Sequence, residues 1–261
     1  MIHPTAVISG QVELEENVSI GPYTLIEGAV RIGRGTKIGA RVSIKGRVII
    51  GEDCRIYDGV IIGEEPQHLK YAGEESEVLI GNRVIIREYA TIHRGTAIDR
   101  LRTVVEDDVM LMAYTHVAHD CTVRRGVIMA NCATLGGHVE VGEYAFIGGL
   151  SAVHQWARVG AYAMVGGLSG VSLDIPPFTV ASGQHAHLYG INVVGLKRRG
   201  FTEDKIKALK RAYRILFRSG LIRSEAIKLL MEEMGQYEEV KRLVDFVQSS
   251  KRGVARDAGK G

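Results

Sequence analysis

The chain has 261 residues, 46% apolar and 24% charged, with a net charge of +3; this composition fits one large or two modest globular domains and excludes intrinsic disorder. No run approaches the roughly 18 apolar residues of a membrane span, and the opening "MIHPTAVISG" has neither a basic leader nor an apolar core segment, so the expected location is cytoplasmic. Cys54, Cys121 and Cys132 are odd in number and lack C-x-x-C spacing, which speaks against a disulfide framework or a zinc ribbon and for small buried thiols.

In chain order, every sixth residue from Ile2 through Ile8, Leu14 and Ile20 to Ile62 is Ile or Leu. The pattern resumes at Ile80, Ile86 and Ile92, and again from Val105 through Leu111, Val117 and Val123 to Val171. The fifth position of each hexad is small or β-branched, as at Thr24, Cys54, Ala90, Thr115, Cys121, Ala133 and Ser151. A period of six suits neither a helix nor one continuous strand, but it suits a short strand followed by a tight turn. Three such units close an eighteen-residue triangular coil. The large aliphatic fills its interior, and stacked coils pair as parallel strands about 4.8 Å apart. The predicted architecture is an all-β parallel β-helix over residues 1–185.

Two interruptions, 64–77 and 94–106, are polar, too long for a corner, and predicted to be external loops; such excursions tend to carry function. After "DIPPFTVASG" the repeat ends, and residues 186–261 read as a small α-helical domain. Thr202 is a helix N-cap for the stripe Ile206, Leu209, Tyr213, Leu216 and Phe217, which stops near Gly220. Two amphipathic helices follow, over 224–234 and 238–247, and the tail "KRGVARDAGKG" is expected to fray. Residues 195–261 hold 17 Lys and Arg against 9 Asp and Glu, leaving 16 against 21 for the remainder. That skew points to an acidic partner for the helical end, or to a solvated helical face, and not to nucleic acid.

Spacing converts into position. Residues 119, 137 and 155 are one coil apart, so His119, Gly137 and Gln155 stack, with His138 and His154 one residue to the side and His116 nearby. Histidine exchanges a proton near neutral pH. Asp120 can orient His119 only if the backbone turns a corner there, because an extended strand would send it to the opposite face. Gly137 leaves a backbone N–H open as an oxyanion donor. A base beside an oxyanion donor, with no G-x-S-x-G nucleophile, indicates direct acyl transfer to a hydroxyl.

The segments "HLKYAGE", "TIHRGT", "HVAHDCTV", "LGGHV", "GGLSAVHQ", "VGGLSGV", "DIPPF" and "GLKRRGF" together resemble the UDP-N-acetylglucosamine acyltransferase family of lipid A biosynthesis, over essentially the whole chain. The resemblance implies left-handed winding, a homotrimer, and transfer of an R-3-hydroxyacyl group from acyl carrier protein to the 3-hydroxyl of the sugar nucleotide, without metal or bound cofactor and without stable membrane insertion. It makes His119 the base and Gly137 the oxyanion donor, and has His116, His138 and His154 line the substrates. Lys70 would meet the nucleotide phosphates, and Gln67, His68, Gln155, His185, Asn192, Arg198 and Arg199 match other substrate-contacting positions. Gly167 matches the position that limits acyl length. Two residues depart from the family pattern: His68 stands where Asp is usual, and Val194 where Glu is. They leave open a 3-amino sugar acceptor in place of the 3-hydroxyl.

Other readings of the same scaffold are a γ-type carbonic anhydrase with zinc on His93, His116, His119 or His138, and a non-catalytic interaction scaffold. The sister N-acyltransferase of the pathway usually carries an extra amino-terminal domain, for which hexads beginning at Ile2 leave no room.

Overall fold

The computed structural model describes residues 1–259. Its body is a three-faced β-helix in which successive coils pair in parallel at a shift of eighteen residues, Val7 against Leu25 and Leu25 against Ser43. One face is a ten-stranded sheet. The other two are the arms of a fourteen-stranded sheet, one holding Thr91–His93, His116–Val117, Thr134–Leu135 and Ala152–Val153, the other Arg102–Val105, Thr122–Val123 and Glu140–Val141. The arms fuse because three early strands, Val7–Leu14, Leu25–Ile32 and Ser43–Ile50, run round a corner unbroken. Gly10, Gly28 and Gly46 stack at that bend with positive φ, and a Cβ on Gly10 would lie 2.6 Å from the Gly28 carbonyl oxygen.

The hexad aliphatics fill the interior as the period requires: Ile26, Ile32, Ile44, Ile62, Ile86, Leu111 and Leu135 are fully buried. Ile2 is an exception at 48% exposure because no coil stacks beneath the first. The fifth position does more than fit. Thr24 Oγ1 donates to the Gly39 carbonyl (2.8 Å) and accepts from the Val42 amide (3.2 Å), and Thr36 and Ser151 repeat the pattern one corner or several coils away. A small hydroxyl there satisfies turn groups that the interior would otherwise leave unpaired. The corners are closed by single residues in the left-handed region, among them Tyr89, Tyr114, Asp120, His138 and Trp156.

The first loop follows the strand Ile61–Glu64 and returns at Glu77–Ile80. The second is shorter than the expected 94–106, because residues Arg102–Val105 form a strand paired with both Glu77–Ile80 and Thr122–Val123. Its Thr103 and Val105 side chains are fully buried, so the hexad register is restored before the sequence pattern makes it visible.

The ten-stranded sheet ends with Thr179–Ser182 and an antiparallel partner, His187–Ile191. Among the described residues four helices follow: α1 (Val193–Arg198), α2 (Glu203–Arg218), α3 (Arg223–Met234) and α4 (Glu238–Gln248). Thr202 caps α2 by accepting from the Lys205 amide. Leu209, Leu230, Val240, Leu243 and Phe178 form the helical core and seat it on the end of the β-helix. No described helix is long and apolar enough to cross a membrane.

The tail does not fray as expected. Ala255 and Val254 are buried, Val254 and Asp257 form bridges to Asp174 and Leu188, and the Asp257 carboxylate accepts from Tyr213 Oη and Arg218 Nε. Two buried apolar side chains, a carboxylate and backbone bridges hold a segment whose composition reads as disordered. Lys260 and Gly261, at its end, lie outside the described residues.

Candidate active site

The corner between the two arms of the fourteen-stranded sheet falls at Asp120, whose φ is 59°. That turn brings a residue adjacent in sequence round to its neighbour, and His119 Nδ1 lies 2.9 Å from Asp120 Oδ2. Asp120 is fully buried. Burial pushes its carboxyl up, but hydrogen bonds from His119 and from the Thr96 hydroxyl and amide outweigh that and hold it below the ordinary carboxylate value. An ionised carboxylate only accepts, so the His119 hydrogen is on Nδ1 and the lone pair is on Nε2. The nitrogen left free is the one a general base needs.

Gly137 sits one coil beyond. A Cβ there would be 2.6 Å from His119 Nε2, so glycine is required for the basic nitrogen to be reachable. The flanking amides are used, Gly136 N to the Val153 carbonyl and His138 N to that of His119. Among the described residues the Gly137 N–H has no acceptor, which suits an oxyanion donor. Gly137→Ala is expected to displace the His119 ring and lower kcat by about 10²-fold, the scale of one oxyanion or base interaction, with little change in melting temperature. Steady-state kinetics beside a thermal melt checks it.

The second loop braces this corner from above. The Thr96 amide (3.0 Å) and hydroxyl (2.7 Å) donate to Asp120, Arg100 Nη2 donates to the Asp120 carbonyl at 3.0 Å, and Asp99 Oδ2 lies 3.2 Å from His138 Nδ1. None of these three was singled out from the sequence; "TIHRGT" marks the segment, but only the folded loop shows which side chains turn inward.

Five imidazoles form two neighbouring groups. His119 meets His138 edge to face at 4.9 Å and His68, reaching over from the first loop, at 5.2 Å. His138 in turn stacks flat on Trp156 at 3.7 Å. His116 packs on His93 at 4.9 Å and lies 2.7 Å from Thr91 Oγ1. Burial pushes His116 down to about 4, helped by the neighbouring His93 and His119, and burial likewise lowers His93 and His138. These rings are therefore neutral at pH 7, and the patch is a set of hydrogen-bonding rings around one base. His119, Asp120 and His138 present donor atoms within 4.8 Å of one another. Among the described residues of one chain that is two imidazoles and a carboxylate, and the Asp120 oxygens are taken by Thr96 and His119.

The remaining expected residues do not all converge. Gln67 and Lys70 are exposed on the first loop, and His154 and Gln155 are exposed one coil from Gly137. Asn192, Val194, Arg198 and Arg199 line a separate cleft of about 650 Å³ with Tyr144, Tyr162 and Met164. Asn192 caps α1 and donates to the Tyr162 carbonyl, and Arg199 lies 4.3 Å over the Tyr144 ring. This cleft opens on the ten-stranded face, whereas the exposed Gly167 is at the corner where the chain leaves that face at Met164–Val165 for the arm that holds Ala152–Val153. His185 is on the exposed turn between the last two strands.

The family described as "Udp N-acetylglucosamine O-acyltransferase; Domain 2" matches residues 174–255, and that described as "Bacterial transferase hexapeptide (six repeats)" matches 29–64 and 102–137. An acyl-[acyl-carrier-protein]–UDP-N-acetylglucosamine O-acyltransferase from Aquifex aeolicus is 69% identical, with 98% of each chain covered, and one from Thermodesulfovibrio yellowstonii is 52% identical over 98% of this chain and 99% of that one. Among solved structures, the Acinetobacter baumannii LpxA superposes with a TM-score of 0.95 at 39% identity, covering 98% of this chain and 99% of that one. The Francisella novicida UDP-N-acetylglucosamine acyltransferase gives 0.96 at 35% identity, covering 99% and 95%.

Proposed function

The chain belongs to the acyl-[acyl-carrier-protein]–UDP-N-acetylglucosamine O-acyltransferases, left-handed β-helix enzymes of the first step of lipid A synthesis, and from that premise we propose how its residues divide the reaction. His119 Nε2 removes the proton from the sugar 3-hydroxyl, and the oxygen attacks the carbonyl carbon of the R-3-hydroxyacyl thioester. Negative charge gathers on the former carbonyl oxygen, where the Gly137 N–H donates to it. Collapse expels the carrier's thiolate, which takes the proton back from His119 to leave as a thiol. Asp120 holds the ring in the productive tautomer and stabilises its transient imidazolium. The observation that carries this reading is the Nδ1 contact to a buried carboxylate, with Gly137 over Nε2.

His116, His138 and His68 supply hydrogen bonds around the sugar, and Lys70 a point charge for the diphosphate. Asn192, Arg198 and Arg199, beside two tyrosines, suit the nucleotide. Because that cleft is on the face opposite the His119 corner, and Gly167 is at a different corner, in one chain, a complete site requires a neighbouring subunit, which supports the homotrimer; sizing by light scattering tests it. The relatives are named O-acyltransferases of UDP-N-acetylglucosamine, which disfavours the 3-amino acceptor despite His68. Mass spectrometry of products from acyl carrier protein thioesters with each sugar nucleotide decides: an O-acylated product is expected, and a preference above about tenfold for the 3-amino sugar would overturn it. The reading places the enzyme in the cytoplasm, where both substrates would be available.

The carrier protein docks on the basic helical end. Of the cations on α2, Lys205, Arg211 and Arg218 are already paired with Glu239, Glu233 and Asp257. Lys210 and Arg214 are exposed one turn apart on α2 and make no salt bridge among the described residues, so they are the better candidates. Reversing both to Glu is expected to raise KM for the carrier thioester by about tenfold or more, and added salt should do the same to the unaltered enzyme. An unchanged KM would assign that charge to solubility alone.

A further inference from the structure

We infer that Arg252, on the carboxy-terminal strap, is a positioning residue for His154, fixing which of its ring nitrogens carries the hydrogen offered to the sugar nucleotide. The inference rests on the reading above that His154 lines the substrate.

The strap is anchored on both sides of Arg252. Ser250 Oγ donates to Asp174 Oδ2 at 2.8 Å and accepts from the Gly253 amide at 3.1 Å. The Asp174 amide donates to the Gly253 carbonyl and the Ala255 amide to the Asp174 carbonyl, each at 2.9 Å. The guanidinium is held as well, since Nε donates to the Ser172 carbonyl at 2.6 Å. Its Nη2 then reaches His154 Nδ1 at 2.8 Å. The His154 ring is exposed, and the β-helix itself offers its Nδ1 a backbone carbonyl alone, that of Gln155.

His154 Nδ1 has a second neighbour, the Gln155 carbonyl oxygen at 3.0 Å. The two contacts demand opposite things. A guanidinium only donates and a carbonyl only accepts, so Nδ1 bearing a lone pair suits Arg252, whereas Nδ1 bearing a hydrogen suits Gln155. A charge-assisted bond is the stronger of the two, and a hydrogen on Nδ1 would point at a cation. Arg252 therefore selects the neutral ring with its hydrogen on Nε2, a donor for an oxygen of the sugar nucleotide. Without Arg252 the carbonyl draws the hydrogen to Nδ1, and Nε2 becomes an acceptor that no phosphate oxygen can use.

Nitrogen-15 NMR of histidine-labelled protein reads the tautomer directly, with His154→Gln assigning the signal. The unaltered protein should show the hydrogen on Nε2, Arg252→Met should move it toward Nδ1, and Arg252→Lys should restore it. In kinetics, Arg252→Met should raise KM for UDP-N-acetylglucosamine by about tenfold with kcat within about twofold, the scale of one charge-assisted bond. In a His154→Gln background, whose amide donates without a tautomer, the same change should cost less than about twofold. A hydrogen on Nδ1 in the unaltered protein, or an equal KM penalty in both backgrounds, would overturn the inference. The NMR result needs no turnover, so a chain that failed to acylate the sugar nucleotide would sink the function and leave the Arg252 result readable.

Discussion

Replacing His119 by alanine is expected to lower kcat/KM for acyl transfer by about 10²- to 10⁴-fold, the range of a positioned general base, without unfolding the protein. The ring is 6% exposed, but it lies at a corner and not in the aliphatic interior, so its loss opens a pocket to the substrate side and leaves the stacked hexads intact. The loss should fall mainly on kcat, because proton removal occurs only as the hydroxyl attacks. Circular dichroism and a thermal melt establish that the fold survives. A variant that keeps more than a tenth of the activity would remove His119 from the role of base.

Asp120→Asn is expected to be nearly as damaging, by about 10²-fold or more, for a different reason. The carboxylate accepts from the Thr96 amide, the Thr96 hydroxyl and His119 Nδ1 at once. An amide in the same place keeps one acceptor oxygen and brings an NH2 group that must face a donor. Turned toward His119, it donates to Nδ1, which must then carry the lone pair, and so drives the ring to the Nε2–H tautomer, whose Nε2 cannot accept a proton. Turned toward Thr96, it leaves a buried amide N–H unpaired, a cost of about 1–3 kcal/mol in stability. Either orientation is unfavourable, so activity and melting temperature should both fall. Full activity, with the ring tautomer unchanged by nitrogen-15 NMR, would show that Asp120 is structural only.

Much of this was legible because a β-helix writes its geometry into one dimension. A coil of fixed length turns sequence distance into height, so the stacking of Gly137 on His119 follows from a difference of eighteen. The same regularity hid the second loop's true end. The hexad period restarts at Val105, but Arg102–Val104 reads as polar linker, and only pairing with strands on either side reveals that Thr103 faces inward.

The sequence by itself determined the coil, its interior, the column of His119 and Gly137, and the basic helical end, since each depends on local periodicity or on counting charge. Only the tertiary structure decided that Asp120 turns back to His119, because that depends on one residue adopting φ of 59° where an extended strand would have sent the carboxylate away. It also decided the partners contributed by distant loops: Thr96 and Asp99 against one corner, His68 across the base, and Arg252 on His154. Those contacts join residues up to 98 positions apart, and no repeat length relates them. Periodicity constrains what recurs; a loop or a tail that crosses the scaffold once leaves no period to read, and its contacts are settled by packing and hydrogen-bond satisfaction in three dimensions.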